Sequence, residues 1–430
     1  MENNIYKKIN QPLTGDLYIP GDKSISHRAI ILGALAEGTT IIDNFLDGED
    51  CLRTIEIFRQ MGVNIKQDGT DVIIKSNGTN ALQEPTVPLY FGNSGTTARL
   101  MLGVLSTLPF YTVSYGDPHL TVRPMDRVIT PLTMMGAKID GRKDGMYLPL
   151  STHRATLKGI YYEVPVKSAQ VKSALLLAGL FAQGKTTIVE QAKTRDHTEN
   201  MLQAFGAAIE SSQLTHTISS NKTLQATNVT VPGDISSAAF FLVAAAIVPN
   251  STIALKNIGL NITRTGIIDV LKKMGANITI TNEREISGEK LGNISISYQP
   301  LFGIKIEGDM IPRLIDEIPI IALLATQAEG TTVIKNAEEL RVKETDRIHA
   351  VVDILSTLGA NVEETKDGMI IHGKTPLTGG SIKSYSDHRI AMMGVVASLI
   401  SEHPVQIDDV SSIAISYPTF FDHLNHFIKA

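Results

Sequence analysis

The sequence predicts compact α/β bodies built from six repeats of roughly 70 residues, with three repeats in each half of the chain. The first observation is a segment in which a helical pattern stops near a glycine and continues as a β-branched strand. It recurs as AEGTTIIDN at 36–44, AQGKTTIVE at 182–190 and AEGTTVIKN at 328–336, with a weaker copy, PNSTIALKN, at 249–257. The second observation is a glycine that closes the following helical pattern at positions 62, 136, 206, 275 and 359.

Each repeat is expected to read strand, turn, helix, strand, helix, hairpin. The turn before the first helix is PGDKS at 20–24 in the first repeat and PGDIS at 232–236 in the fourth. Asp-Gly pairs predict tight hairpin turns at 68–69, 144–145 and 367–368. The first helices are apolar nearly all round, so they should be buried; they are expected at 29–36, 174–182, 238–248, 318–325 and 390–400. A solenoid is disfavoured because the units are long and few, and each contains two helices.

Composition predicts a cytoplasmic protein with no membrane or nucleic-acid partner, and a monomer is expected without a sequence feature that determines it. The net charge is −5, so a positively charged surface that binds nucleic acid is not expected. Tryptophan is absent and aromatic residues are 5%, so few side chains are available to stack on nucleotide bases. The first eight residues lack an apolar signal region, and the longest apolar run, 238–249, is shorter than a membrane span. The single cysteine, Cys51, excludes an internal disulfide. The sequence has neither a GxxxxGK[ST] loop nor a cluster with metal-ligand spacing, so no cofactor and no metal are expected.

The start of the first buried helix carries charges that the fourth repeat lacks. A buried helix start attracts anions, because its free N–H groups and dipole point outward. The first repeat places Lys23 and Arg28 in this turn, whereas the fourth repeat has Ile235 and apolar residues in the same frame. The glycine turn and the aspartate cap are therefore interpreted as structural, and the two cations as functional.

Other cations stand at further repeat boundaries. Lys343 and Arg347 are four residues apart, a like-charge spacing that a shared anion would stabilise. Arg123 precedes a proline in an extended turn, and Arg389 stands just before an apolar helix. Asp316 also precedes an apolar run and by itself is interpreted as a helix cap. Cations spread over five repeats of a net-acidic chain indicate one shared small polyanion.

Six motifs that follow one another along the whole chain carry a resemblance to a known family. They are GDKS at 21–24, GNSGT at 92–96, RPM at 123–125, SAQ at 168–170, RVKETDR at 341–347 and DHR at 387–389. The chain resembles the 5-enolpyruvylshikimate-3-phosphate (EPSP) synthase family of enolpyruvyl transferases. The resemblance implies an inside-out α/β fold of two domains with six βαβαββ repeats, three per domain. It implies an N-terminal domain of residues 21–231, a C-terminal domain of residues 1–20 plus 232–430, and an active site in the interdomain cleft.

The reaction implied by the resemblance transfers the enolpyruvyl group of phosphoenolpyruvate to the 5-hydroxyl of shikimate-3-phosphate and releases phosphate. Asp316 is then the general base, while either Glu344 or Lys23 protonates C3, a choice that the sequence leaves open. The resemblance places on shikimate-3-phosphate the residues Lys23, Ser24, Arg28, Ser168, Ala169, Gln170, Arg195, Asp316 and Lys343. It places on phosphoenolpyruvate the residues Lys23, Gly95, Arg123, Gln170, Arg347 and Arg389.

Four segments are similar to class II of this family, whose members are often tolerant of the inhibitor glyphosate. They are GDK at 21–23, SAQVK at 168–172, RDHTE at 195–199, and Asn257 followed by TR at 263–264. Ala169 stands where class I enzymes usually have a second serine, and Ser416 stands where they have a lysine near phosphoenolpyruvate. The resemblance therefore implies an enzyme that glyphosate inhibits with reduced sensitivity.

Two alternative functions remain open at this point. UDP-N-acetylglucosamine enolpyruvyl transferase shares the fold but commonly uses a loop cysteine, whereas Cys51 lies at a predicted helix start and is interpreted as partly buried structure. A non-catalytic anion-binding protein could use the same scaffold. Asp316 and Glu344 argue against this second alternative, because anion capture alone does not need carboxylates among the cations.

Overall fold

The computed structural model describes residues 4–220 and 223–429, and the chain divides into two compact units. The N-terminal unit comprises Gly21–Val231 and Ile286–Glu289, and the C-terminal unit comprises the chain up to Pro20, Pro232–Glu285 and the chain from Lys290 onward. The segment Ile286–Glu289 therefore groups with the N-terminal unit, although the expected range 232–430 contained it. Residues 1–3, 221–222 and 430, which the expected domain ranges also contain, lie outside the described residues.

Four strands in the order first, second, fourth, third form the basic sheet of the N-terminal unit. The first two strands run parallel, and the others pair antiparallel. In the part of this unit that the structure describes, the second and third repeats follow this order with Leu89–Tyr90, Thr112–Tyr115, Tyr147–His153, Lys138–Arg142, and with Tyr161–Glu163, Lys185–Val189, Thr215–Ser219, Ile209–Ser212. The strand order is thus that of a βαβαββ repeat.

The sheet of the first repeat is completed by strands from the last residues of the segment Gly21–Val231 of the N-terminal unit. Its central strand Ala36–Asp43 pairs antiparallel with Asp71–Asn77, which pairs with Asn64–Asp68. The parallel first strand comes from Leu224–Gln225 and Val229–Thr230. The first repeat therefore takes its opening strand from nearly 200 residues further along the chain.

Buried helices form the centre of the N-terminal unit. The helices that open the repeats are Lys23–Leu35, Gly95–Leu105 and Ala169–Gly179, and most of their residues are buried. A Cβ on Gly103 would lie 2.3 Å from the carbonyl oxygen of Ala174, so this glycine allows two of these helices to touch backbone to backbone. The remaining helices of this unit are Glu49–Gln60, Thr79–Ala81, Pro118–Thr121, Asp126–Met134 and His197–Ala204.

The C-terminal unit repeats the plan with a different closing element. Its sheets, in spatial order and within the described residues, are Thr14–Tyr18, Thr252–Gly259, Glu289–Ser297, Asn277–Ile286; Lys305–Ile306, Gly330–Ile334, Gly368–Gly373, Asn361–Thr365; and Ile5–Tyr6, Val405–Ile407, Gly380–Ile382. The helices among its described residues are Ile235–Ile247, Gly266–Lys273, Gly308–Arg313, Ile318–Thr326, Glu338–Val342, Arg347–Thr357, His388–Ser398, Ser411–Ile415 and Phe420–Lys429.

The sixth repeat departs from the expected βαβαββ pattern because it does not end in a hairpin. After Val405–Ile407 the chain forms the helix Phe420–Lys429, and Ile5–Tyr6 pairs antiparallel with Val405–Ile407 instead. The buried residues of the last helix are Phe420, Leu424 and Phe427, whose spacing is that of a helix face and not of a strand. Throughout the described part of the chain, no helix is both long and apolar enough to cross a membrane.

Candidate active site

The PGD turn of the first repeat holds Lys23 at a helix start. Asp22 caps the helix by accepting a hydrogen bond from the Ile25 N–H at 2.9 Å. The Lys23 ammonium forms an ion pair with Asp50, which lies at the start of the next helix. His27 is buried against Thr54, and burial, followed by the charges of Lys23 and Arg28, lowers the pKa of His27 well below its ordinary value. His27 is therefore neutral, and the positive charges of this turn are those of Lys23 and Arg28.

Arg28 is held by hydrogen bonds from all three of its nitrogens. Nε donates to Thr198 Oγ1 at 2.6 Å, Nη2 donates to Ser173 Oγ at 2.8 Å, and Nη1 donates to the carbonyl oxygen of Ser24 at 2.9 Å. The residue is only 4% exposed. Ser24 and Arg28, both predicted to bind shikimate-3-phosphate, thus lie together on one turn of the helix.

A second basic group surrounds Gly95. Arg123 Nη2 donates to Asn93 Oδ1 at 2.7 Å, and a Cβ on Gly95 would lie 3.4 Å from Arg123 Nη1. The same Cβ would lie 2.8 Å from Nη1 of Arg99, which donates to Gln170 Oε1 at 2.7 Å. The structure therefore brings the predicted residues Gly95, Arg123 and Gln170 together. Sequence reasoning missed Arg99, although its position four residues after Gly95 on one helix was the available signal.

Other predicted residues of the N-terminal unit lie at helix starts. Ser168 caps the helix Ala169–Gly179, and Ala169 and Gln170 form its first turn, partly exposed. Arg195 is partly buried two residues before the helix His197–Ala204. Cys51 is fully buried, with Sγ 3.8 Å from the carbonyl oxygen of Lys23.

Arg347 is the centre of a charge cluster in the C-terminal unit. Its guanidinium contacts Asp387 with Nε at 2.8 Å and with Nη2 at 3.2 Å, contacts Glu344 with Nη2 at 2.6 Å, and contacts Asp316 with Nη1 at 3.3 Å. The side chain is 1% exposed. Burial lowers the pKa of Arg347, but the charges of Asp387, Glu344 and Asp316 outweigh it, so the pKa lies above its ordinary value. This permanent cation fixes Asp316 and Glu344 relative to each other.

Two more predicted cations approach Asp316. Lys343 Nζ lies 3.5 Å from Asp316 Oδ1, and Arg389 Nη1 donates to the Asp316 carbonyl oxygen at 3.2 Å. The side chains of Lys343 and Arg389 are 28% and 11% exposed, against 1% for Arg347. The cluster therefore combines one buried cation, two more accessible cations and the three carboxylates around Arg347. Cations and carboxylates together are what an acid–base step on an anionic substrate needs.

The PGD turn of the fourth repeat has no cation of its own at the position of Lys23, but a buried cation from further along the chain contacts it. Arg264 is 3% exposed and donates to Asp234 Oδ1 at 3.1 Å and to Ser236 Oγ at 2.7 Å. Arg264 stands seven residues after Asn257, as Lys343 stands seven residues after Asn336. Arg264 was noted in the sequence only within the class II segment TR at 263–264, and this shared repeat spacing was the available signal for a cation beside the turn.

A buried ion cluster lies beside the Arg28 contacts. The ligand atoms of Glu190, Glu199 and His216 lie within 4.8 Å of one another, a spacing that could surround a metal ion. The Lys172 ammonium, however, lies 2.9 Å from Glu190 and 2.6 Å from Glu199. The chain thus supplies its own cation to these carboxylates.

Repeated βαβαββ units with basic helix starts and a cation-bound carboxylate define an α/β enzyme that acts on small anionic substrates. Comparison with known proteins identifies the family: the EPSP synthase (3-phosphoshikimate 1-carboxyvinyltransferase) family matches residues 7–424, and the chain belongs to it. Its fold is the inside-out α/β fold that the resemblance implied.

Individual relatives match over nearly the whole chain. The 3-phosphoshikimate 1-carboxyvinyltransferase of Oceanobacillus iheyensis is 59% identical, covering 97% of this chain and 99% of the relative. The protein of the same name from Bacillus subtilis is 57% identical, covering 97% and 98%. The structure of EPSP synthase from Acinetobacter baumannii matches with a TM-score of 0.89 at 44% identity, covering 98% of this chain and 97% of that one.

Proposed function

We propose that this protein transfers the enolpyruvyl group of phosphoenolpyruvate to the 5-hydroxyl of shikimate-3-phosphate and releases phosphate. The observation that carries the proposal is the Asp316 carboxylate, which contacts Arg347 and Lys343, while Arg389 donates to the backbone carbonyl oxygen of the same residue. Anion capture alone does not require a carboxylate beside the more accessible cation Lys343. The family match supplies the reaction, and it favours this activity over UDP-N-acetylglucosamine enolpyruvyl transfer.

The proposed chemistry is an addition followed by an elimination. Asp316 accepts the proton of the 5-hydroxyl as its oxygen bonds to C2 of phosphoenolpyruvate, and Glu344 or Lys23 donates a proton to C3. Loss of phosphate from C2 and of a proton from C3 then restores the double bond. The contact between Glu344 and Arg347 holds the first candidate acid near the base, within the same unit.

The basic residues have the proposed role of holding the anionic groups. On phosphoenolpyruvate, the planar guanidinium groups suit bidentate binding of carboxylate and phosphate. We assign to phosphoenolpyruvate the residues Lys23, Gly95, Arg123, Gln170, Arg347 and Arg389. We assign to shikimate-3-phosphate the residues Lys23, Ser24, Arg28, Ser168, Ala169, Gln170, Arg195, Asp316 and Lys343.

The test is phosphate release by the purified protein with phosphoenolpyruvate and each acceptor in turn. Release with shikimate-3-phosphate and none with UDP-N-acetylglucosamine is expected, and Asp316→Asn should remove most of it. Release only with the nucleotide sugar, or with neither acceptor, would contradict the proposal. Size-exclusion chromatography tests the accompanying proposal of a monomer, and cell fractionation tests that of a cytoplasmic enzyme.

A further inference from the structure

The hydroxyl groups of Ser173 and Thr198 form a closed hydrogen-bonded set with Arg28. Arg28 donates to both hydroxyls, at 2.8 Å and 2.6 Å, and the two hydroxyl oxygens lie 2.7 Å apart. We propose that Ser173 and Thr198 are positioning residues that aim the Arg28 guanidinium at the acceptor substrate. The inference rests on the proposed function in one respect, the contact of Arg28 with shikimate-3-phosphate.

The chemistry of the groups determines the direction of these hydrogen bonds. A guanidinium has donors and no acceptor, so both hydroxyl oxygens must accept from Arg28. One hydroxyl then donates its proton to the other across the 2.7 Å contact. Because Nε and Nη2 are bound at the same time, the guanidinium plane is fixed in rotation as well as in position.

The oxygens that accept these three hydrogen bonds from Arg28 are neutral. The contacts of Arg28 with Ser173, Thr198 and the Ser24 carbonyl orient the guanidinium through three of its nitrogens. Those of Arg347 are with carboxylates, which offset the charge that they bind.

An ion pair between neighbouring residues holds the two hydroxyls in place. Lys172 precedes Ser173 on the helix Ala169–Gly179, and Glu199 follows Thr198 on the helix His197–Ala204. The Lys172 ammonium lies 2.6 Å from Glu199. The two helices are therefore joined by this ion pair and, one residue along each helix, by the hydrogen bond between Ser173 and Thr198. Buried as it is, with Lys172 0% exposed, this pair leaves little freedom for the hydroxyls to move apart.

The test compares Thr198→Val with Thr198→Ser. Valine keeps the shape and removes the hydroxyl, so Nε–H of Arg28 is left buried without that acceptor. We expect the KM for shikimate-3-phosphate to rise about tenfold while the KM for phosphoenolpyruvate changes less than about twofold. Thr198→Ser retains the hydroxyl and should stay near the unmodified protein in both. In an Arg28→Ala background, Thr198→Val should have no further effect on the KM for shikimate-3-phosphate, because the group that it positions is gone.

A matched control separates positioning from stability. Thr112→Val removes a buried hydroxyl that lies 2.6 Å from Thr152 Oγ1, in a sheet of the same unit. This control should change Tm without changing either KM. Ser173→Ala removes the other hydroxyl and replaces Thr198→Val if that variant does not fold. Equal rises in both KM values, or a lower Tm with both KM values unchanged, would overturn the inference.

Calorimetric binding of shikimate-3-phosphate distinguishes failure of the inference from failure of the proposed function. If the unmodified protein binds this ligand but releases no phosphate from phosphoenolpyruvate, the proposed function fails, and weaker binding by Thr198→Val still supports the inference. If it turns over and Thr198→Val binds as tightly as the unmodified protein, the inference alone fails. If it does not bind this ligand at all, both fail.

Discussion

Replacing Lys172 with methionine should destabilise the protein strongly at neutral pH and less in acid. The Lys172 ammonium is 0% exposed and contacts two carboxylates, Glu190 at 2.9 Å and Glu199 at 2.6 Å. Methionine fills the space but leaves both carboxylates buried without that cation. Removing one partner of a buried pair costs about 3–5 kcal/mol. For a unit of this size that corresponds to a fall in Tm of roughly 10 °C.

The pH dependence follows from the pKa of Glu190. Burial raises this pKa, but the hydrogen bond from His216, the charge of Lys172 and the hydrogen bond from Thr194 outweigh it, so the pKa lies below its ordinary value of 4.5. The ionised form of Glu190 thus stabilises the fold above the unfolded pKa and loses that effect as the pH falls through the folded pKa. Without Lys172, burial acts with less opposition, and the pKa of Glu190 rises. The variant can then relieve the buried charge by protonation, and its deficit shrinks as the pH approaches 4.5.

The assay is thermal unfolding of the two proteins at about pH 7.5 and about pH 5. The difference in Tm should be clearly smaller at the lower pH. Lys193→Met is the matched control, because Lys193 lies 3.5 Å from Asp196 with 54% of its side chain exposed, and an exposed pair contributes about 0–1 kcal/mol. An equal fall in Tm at both pH values, or a fall no larger than that of Lys193→Met, would refute the reasoning.

Three further outcomes are expected. Lys23→Ala should abolish phosphate release while Tm falls by no more than about 4 °C. Ile235→Ala, at the matching position of the fourth repeat, should lose roughly 2–5 kcal/mol of stability and keep its turnover in the folded fraction. Ordinary activity in Lys23→Ala would contradict the assignment of Lys23 to the active site. Gly95→Ala should raise the inhibition constant of glyphosate, because the new methyl group would lie 2.8 Å from Arg99 Nη1 and displace it; an unchanged inhibition curve would count against a ligand beside Gly95. The unmodified protein should show reduced glyphosate sensitivity, and strong inhibition at low concentration would reject the class II interpretation.

Local patterns were sufficient to predict the repeats. Three signals recur along the chain: the segment AEGTT with its copies, the closing glycines and the apolar helices. They are visible in a single sequence because helix ends, turns and burial depend on residues within about ten positions of one another. The helices Lys23–Leu35 and Ile235–Ile247 begin just after the PGD turns as expected. The cations at helix starts were found from the same comparison of repeats, whereas the roles of the other site residues, Asp316 among them, came from the resemblance to the family.

Only the tertiary structure decided which distant residues meet. The opening strand of the first repeat comes from Leu224–Thr230, and the last repeat ends in an amphipathic helix. Arg28 reaches Ser173 and Thr198, which lie 145 and 170 residues away along the chain. Arg264 forms an ion pair with buried Asp234, and Lys172 forms one with buried Glu199; no local pattern indicates either pairing. The physical reason is that the orientation of a buried charge is set by the packing of whole helices and sheets, and this packing is not encoded in any short segment.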